Sequence, residues 1–174
     1  MEQRKSINHL TAGLIIGALL VVVNILRYVV FKDTPEKVSG WLDWLIVIGG
    51  LVYFATAFSK SRDHDVTFGN LFATCFKATA VFTLVIVLFL VVMNVVDPSI
   101  KENALETIRT RGLEDKNANE ADIEKVVEFM GKYYWAVVIG GALLWTMIMG
   151  VIGSLIGAAV AKKNPRPNFD QLDS

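Results

Sequence analysis

Four long apolar runs that hold almost no charge divide the sequence, and they constrain the fold more than any other feature. A helix rises about 1.5 Å per residue, so about 20 apolar residues cross the hydrocarbon core of a bilayer. Backbone groups inside lipid must bond to one another, which leaves helices for segments of this length. The sequence therefore predicts an all-α membrane protein with four transmembrane helices, at about residues 10–31, 41–58, 76–96 and 135–161.

The first run, Leu10–Phe31, follows Arg4 and Lys5, as the apolar core of a secretory signal peptide would. It is longer than a typical signal core of about 7–15 residues, and no small-residue cleavage pattern follows it. We therefore interpret it as an uncleaved membrane helix. We expect the four spans to form two helical hairpins in a single membrane domain that covers residues 1–174.

Residues 97–134 are the largest segment outside the predicted spans. Asp97 as N-cap, Pro98 in the first turn and Gly112 as the stop predict one helix, and Asn119 predicts the cap of a second. Each helix carries an apolar stripe: Ile100, Ala104, Leu105 and Ile108, then Ile123, Val126, Val127 and Met130. Amphipathic helices of this kind suit a hairpin lying on the bilayer, a lid, or a docking surface for a partner.

Basic residues flank the spans on both sides, so the positive-inside rule gives only a small preference. Arg4 and Lys5 lie close to the first span, and Lys162 and Lys163 follow the last one directly. Four spans put both termini on the same side, which we expect to be the cytoplasm. Aromatic residues mark the opposite interface: Tyr28, Trp41, Trp44, Tyr133, Tyr134 and Trp135.

Few polar side chains lie at membrane depth, and such groups are candidates for function. Asn24 and Asn94 occur in the similar strings LVVVNIL and LVVMNVV, which hints at a weak repeat of two hairpins. We predict that each asparagine makes an intramembrane contact with a neighbouring helix. Arg27 is expected to extend outward to the interface, where Asp43 is also expected to lie.

Small residues at four-residue spacing predict close helix packing in lipid. They occur on two of the predicted spans, at Gly13 and Gly17 on the first and at Gly153, Gly157 and Ala161 on the fourth. Gly150 belongs to a second stripe beside the latter, with Thr146, Ser154 and Ala158. The neighbouring helix could belong to the same chain or to a second copy, and we favour the same chain.

The sequence holds no recognisable catalytic or nucleotide-binding motif. Its net charge is zero, so we expect no overall electrostatic attraction to nucleic acid. Cys75 is the only cysteine, so an intramolecular disulfide is excluded, and its apolar neighbours predict a buried thiol. His9 and His64 are the only histidines, and nothing in the sequence fixes their distance. We therefore predict that the protein is not an enzyme and holds no metal or cofactor.

The run Asp63-His64-Asp65 resembles a metal site or a proton relay, but it lies in a short loop before the third span. Thr67 is suited to cap the following helix, with Asp65 near its positive end. We interpret the three polar residues as a solvated bend, with a sensing role for His64 as the alternative.

Short motifs around this loop resemble those of a family called domain of unknown function 4199. They are the basic residue Arg62, the string Val66-Thr67-Phe68-Gly69, the pair Asp97-Pro98, and the terminal lysines Lys162-Lys163. The family has no assigned activity, so the resemblance implies no catalytic residues. It implies a four-helix membrane protein of the bacterial inner membrane.

Together these observations predict an integral inner-membrane protein with a structural or protein-interaction role. The bilayer is one expected partner, and another membrane protein or a second copy is the other. The alternative function is a small oligomeric transporter or channel-like protein, in which Asn24 and Asn94 would line an interface.

Overall fold

The computed structural model describes residues 8–30, 36–114 and 119–165. Arg4, Lys5 and Phe31 lie outside these ranges. Within them, all regular structure is helical: α1 His9–Val30, α2 Glu36–Ser61, α3 Phe68–Val96, α4 Ser99–Glu114, α5 Glu120–Lys132 and α6 Tyr134–Val160. Helices α1, α2, α3 and α6 are each long and apolar enough to cross a membrane. The all-helical fold with four candidate spans is thereby confirmed, and the grouping of these spans into two hairpins stays a prediction.

The chain forms two compact units, Met1–Ile86 together with Trp145–Ser174, and Val87–Leu144. The first unit contains α1, α2 and the larger parts of α3 and α6. The second unit contains the amphipathic helices α4 and α5 with the adjoining ends of α3 and α6.

In the first unit, α1 packs on α3 through the glycines of its small-residue stripe. A Cβ at Gly13 would lie 2.5 Å from Cβ of Val81, and one at Gly17 would lie 2.9 Å from Cβ of Val85. Contacts this short leave no room for a methyl group. The two glycines therefore let the backbones of α1 and α3 approach closely, as helix association in lipid requires.

Helix α6 packs in the same way on α2 and α3. A Cβ at Gly150 would overlap the methyl group of Thr79 on α3, and one at Gly153 would lie 2.7 Å from a Leu51 methyl on α2. A Cβ at Gly157 would lie 3.0 Å from the Leu51 carbonyl oxygen, and Ala161 is fully buried. The small-residue stripes of α1 and α6 thus both pack within the chain.

Polar groups between α3 and its neighbours find partners inside the same unit. The hydroxyl of Thr83 donates to the hydroxyl of Thr146 on α6 at 3.1 Å. The predicted burial of Cys75 is confirmed, and its thiol contacts the Leu51 carbonyl of α2 at 3.8 Å. Interhelical contacts between small polar groups stabilise membrane bundles by about 0.6 kcal/mol each on average.

The three residues predicted to cap helices lie at the N-termini of those helices. The Thr67 hydroxyl accepts from the N–H of Asn70 at 3.2 Å, and the Asn119 side chain accepts from Ala121 N–H at 3.0 Å. The Asp97 carboxylate accepts from Ser99 N–H at 3.0 Å. Each of these side chains satisfies a backbone donor that the first turn of a helix leaves without an intrahelical partner.

The prediction that Gly112 ends the first loop helix is wrong, since α4 continues to Glu114. The glycine has a different role there. A Cβ at Gly112 would lie 3.1 Å from two carbon atoms of Ile123, so the missing side chain admits α5 against α4. Close packing, and not helix termination, explains a glycine at this position.

We predict that Gly150→Ala lowers stability by about 1–3 kcal/mol, the usual cost of overpacking a filled interface. Gly140→Ala is the matched control on the same helix, because a Cβ there would meet nothing within 4 Å. Alanine also favours helix over glycine, so the control should be neutral or slightly stabilising. Equilibrium unfolding in detergent measures both, and equal stability of the two variants would contradict the packing argument.

Candidate functional site

An ion pair joins α1 to α2 near the end of each helix. Nη1 of Arg27 lies 2.8 Å from Oδ2 of Asp43, and the side chains are 20% and 25% exposed. The sequence predicts that both residues lie at the interface, and it does not predict that they pair. The structure brings the two together, and a charge near lipid is costly unless an opposite charge faces it.

This ion pair does not use all of its hydrogen-bonding capacity. The second carboxylate oxygen of Asp43, Oδ1, is buried and has no partner within the part of the chain that the structure describes. A buried acceptor without a donor costs about 1–3 kcal/mol, so burial of this carboxylate oxygen lowers the stability of the fold. It ties α1 to α2, and nothing in its geometry supplies a nucleophile or a metal-binding set.

The loop after α2 turns through two residues in the left-handed region, Asp63 at φ 52° and His64 at φ 65°. The N–H of His64 bonds to the Ser59 carbonyl at 2.9 Å, and the N–H of Asp63 bonds to the Lys60 carbonyl at 3.3 Å. This pair of bonds is a Schellman cap, which usually places glycine where Asp63 lies. A short polar side chain tolerates this conformation better than most.

The prediction of a solvated bend is wrong for His64. Asp63 and Asp65 are exposed, but the His64 ring is half-buried and its Nδ1 lies 2.9 Å from the hydroxyl of Ser59. The Ser59 hydroxyl also donates to the Lys162 carbonyl at the end of α6. In addition, the Asn164 N–H bonds to the His64 carbonyl at 2.7 Å. The loop is therefore fastened to the segment that follows α6.

The Ser59 hydroxyl lies between Nδ1 of His64 and the Lys162 carbonyl, and it donates to that carbonyl. A serine nucleophile instead directs its proton to the histidine nitrogen, which acts as the base. The Ser59–His64 pair is therefore arranged as a structural link, and among the described residues no group of three potential metal ligands occurs.

The two predicted intramembrane asparagines differ in their contacts. The amide of Asn24 donates to the Leu20 carbonyl of its own helix at 2.8 Å, and Asn94 donates likewise to Leu90 at 2.9 Å. Asn94 has a second partner, because its side-chain oxygen accepts from the hydroxyl of Tyr134 at 2.6 Å. Asn94 thus links α3 to α6.

Tyr134, at the start of α6, contacts α3 and α4 within the second unit. Its side chain is buried, its hydroxyl bonds to Asn94 on α3, and Nζ of Lys101 on α4 lies 5.5 Å from the centre of its ring. One side chain therefore contacts the last turn of α3, the first turn of α4 and the start of α6. This arrangement fixes where helices α4 and α5 leave the ends of the two spans.

Helices α4 and α5 form a hairpin with its own apolar seam and an ionic link. Ile123 and Val127 of α5 are buried in the seam. Across the outer surface, Nε and Nη2 of Arg109 donate to the two carboxylate oxygens of Glu124 at 2.8 and 3.0 Å. A bidentate pair of this kind fixes orientation as well as distance. The Arg109 guanidinium also lowers the pKa of Glu124, chiefly through this hydrogen bond.

A second apolar face of α5 stays exposed. Val126, Phe129 and Tyr133 are 48%, 57% and 45% exposed, and their spacing of three and seven residues places them on one side of the helix. Val126 belongs to the predicted apolar stripe of α5, but it does not share the burial of Ile123 and Val127. Residues 126 and 127 point about 100° apart on a helix, so they cannot both face α4. We call these three residues the α5 outer face.

Two of the features that were missed have signals in the sequence. An arginine in the last turn of one span and an aspartate in the first turns of the next could have been paired by assuming that α1 and α2 are neighbours. The i, i+3, i+7 pattern of the α5 outer face is also visible in the sequence. The links from this loop to Lys162 and Asn164 have no such signal, because those residues lie about a hundred positions farther along the chain.

We predict that Arg27→Leu or Asp43→Leu alone lowers stability by about 1–3 kcal/mol, because each leaves one charge without its counterion. The double variant should lose less than the sum of the two, since no lone charge then remains. A double-mutant cycle by equilibrium unfolding in detergent measures the coupling. Strictly additive losses would show that the contact contributes nothing.

The hairpin should loosen in acid. Because the folded-state pKa of Glu124 is lowered, its contribution to stability is complete above the ordinary carboxyl pKa and is lost as the pH falls through the lowered value. The pair is exposed, so the effect is small. Amide hydrogen exchange of α5 should rise over that pH range in the unchanged protein. The same rise in Glu124→Gln, which has no carboxylate to protonate, would assign the effect elsewhere.

The comparison with protein families gives one match that covers most of the chain. A family model described as protein of unknown function (DUF4199) matches residues 11–163. The chain has no significant match among curated proteins or among solved structures. The matched residues include all six helices except the first two residues of α1. The chain therefore belongs to the DUF4199 family of proteins of unknown function.

Proposed function

We propose that this protein is not an enzyme but an interaction protein of the membrane, which binds another membrane protein through the α4–α5 hairpin. The observation that supports this function is the α5 outer face. Val126, Phe129 and Tyr133 are exposed apolar side chains on a helix outside the four candidate spans. Exposed apolar faces outside lipid are typical of surfaces that bind a partner helix.

The hairpin is suited to hold this face in a fixed direction. Ile123 packs into the space at Gly112, Arg109 holds Glu124 at two points, and Tyr134 ties the base to α3 and α4. A pre-ordered surface loses less conformational entropy on binding than a flexible loop does. The outer face also ends at Tyr133, directly before the start of α6. A partner that is itself in the bilayer would therefore meet the hairpin and the span together.

The contacts of the intramembrane asparagines favour this function over transport. A transport path needs polar side chains that face an open route through the bilayer. Asn24 and Asn94 both direct their amide donors to carbonyls of their own helices, and Asn94 also accepts from Tyr134. Protein groups already occupy these hydrogen-bonding sites, which supports structural roles for them.

The proposal includes a location in the bacterial inner membrane with both termini in the cytoplasm. The lysines next to the spans support this orientation, because Lys60 ends α2 while Lys162 and Lys163 follow α6 directly. Lys163 also donates to three carbonyls at the end of α6, which holds its charge close to that interface. The hairpin then faces the outer side of the membrane.

The test is crosslinking on spheroplasts with a membrane-impermeant amine reagent, followed by purification of this protein. Lys125 is 75% exposed and lies next to Val126, so it should link to the bound partner. Phe129→Asp should remove the crosslinked species, because it introduces a charge in the centre of the outer face. Glu128→Ala is the matched control, since its exposed side chain points about 100° away on the same helix.

Loss with Phe129→Asp and retention with Glu128→Ala would support both the partner and the surface. Equal crosslinking in the two variants would contradict the surface. Crosslinking that needs a membrane-permeant reagent would reverse the orientation. A hairpin that lies on the bilayer would give no specific crosslinked species in any variant, and would contradict a protein partner.

A further inference from the structure

The base of the α4–α5 hairpin, where it joins α3 and α6, carries two lysines that lie over tyrosine rings. Nζ of Lys101 on α4 lies 5.5 Å from the centre of the Tyr134 ring, and Nζ of Lys132 on α5 lies 5.6 Å from that of Tyr133. Both distances are within the range of about 6 Å over which an aromatic ring attracts a cation. Both lysines are exposed, so an external anion can reach their ammonium groups.

The tyrosine rings under these lysines are held by contacts of their own. The Tyr134 side chain is buried, and its hydroxyl donates to the side-chain oxygen of Asn94 at 2.6 Å. The Tyr133 ring packs on Phe129, with the two ring centres 4.9 Å apart. Each ammonium group therefore lies on an aromatic surface that is already in place. Such a lysine loses less conformational entropy when it binds an anion than a lysine without support does.

The two lysines also have no acidic partner, although acidic residues are close in the sequence. Lys125, farther from the base, bonds to Asp122 at 2.9 Å. Glu128 precedes Lys132 by four residues, which is the spacing and order that favour an ion pair on a helix. Even so, no ion pair to Lys101 or Lys132 occurs in the part of the chain that the structure describes. Their positive charges are therefore available to a ligand.

The level of these charges relative to the spans indicates the kind of anion. The candidate span of α3 ends at Val96, and that of α6 begins at Tyr134. A bilayer is about 40–45 Å thick with its headgroups and about 30 Å without them, which leaves about 5–8 Å for the headgroup layer on each side. Nζ of Lys101 is 5.5 Å from the ring of the first residue of the α6 span, and Lys132 precedes that residue by two positions. Both lysines can therefore reach the layer that contains the lipid phosphates.

We propose that Lys101 and Lys132 bind the phosphate groups of anionic phospholipids in the leaflet on the hairpin side. A zwitterionic lipid carries its own ammonium group beside its phosphate, so the site prefers lipids with a net negative charge. A lysine at the surface of an anionic leaflet raises the affinity about fivefold. This inference goes beyond the proposed interaction function and does not depend on it, because the lysines bind lipid without a protein partner.

The test is native mass spectrometry of the delipidated full chain in mild detergent, with phosphatidylglycerol or phosphatidylcholine added. We expect a clear preference for phosphatidylglycerol. Lys101→Gln and Lys132→Gln should each weaken its binding about fivefold and leave the binding of phosphatidylcholine unchanged. Lys125→Gln is the matched control, because it removes one charge from the same hairpin at a lysine that already pairs with Asp122. Circular dichroism checks that the variants fold, and Lys101→Arg and Lys132→Arg, which keep the charge, should retain the preference.

Three outcomes would overturn the proposal. Equal affinities of the unchanged protein for the two lipids would show ordinary solvation by lipid. Equal losses in Lys125→Gln and in the other two glutamine variants would reduce the effect to the net charge of the hairpin. Displacement of phosphatidylglycerol by an equal concentration of inorganic phosphate would assign the site to a free phosphate ion. All three use the purified chain with lipid alone, so they are distinct from failure of the crosslinking test for a protein partner.

Discussion

Helices in lipid gain little from the hydrophobic effect when they associate, so the first unit depends on how closely its backbones approach. Among the described residues, glycine makes that approach at six contacts between the spans, from Gly13 and Gly17 on α1, from Gly50 on α2, and from Gly150, Gly153 and Gly157 on α6. The resulting interfaces place α1 against α2 and α3, and α6 against α2 and α3. The ion pair between Arg27 and Asp43 adds a polar contact between α1 and α2.

The second unit is held together by a different kind of interaction. Its hairpin lies outside the candidate spans, where water strengthens apolar burial and weakens ion pairs. Ile123 and Val127 are buried in the seam, while Arg109 and Glu124 join at the surface. One glycine still has a packing role here, because Gly112 admits Ile123. The chain thus combines packing suited to lipid in one unit with packing suited to water in the other.

Much of the fold could be predicted because its signals are local. Apolar length predicted the four spans, and Thr67, Asp97 and Asn119 predicted where helices begin. The prediction at Gly112 was wrong because sequence alone does not distinguish a glycine that ends a helix from a glycine that allows another helix to pack closely. The pairing of Arg27 with Asp43 was missed because it depends on α1 and α2 being neighbours, which a single sequence suggests but does not establish. The bond from Asn164 to His64 joins residues about a hundred positions apart, and a single sequence contains no information on such a contact.

The links around Ser59 and His64 have a consequence for how the first unit opens. Ser59, near the end of α2, donates to the Lys162 carbonyl, 103 residues away in the chain, and the Asn164 N–H bonds to the His64 carbonyl at 2.7 Å. The end of α6 therefore cannot fray without breaking its bonds to the turn after α2. Local unfolding at these two helix ends is coupled, although each end taken alone would be among the first parts of its helix to open.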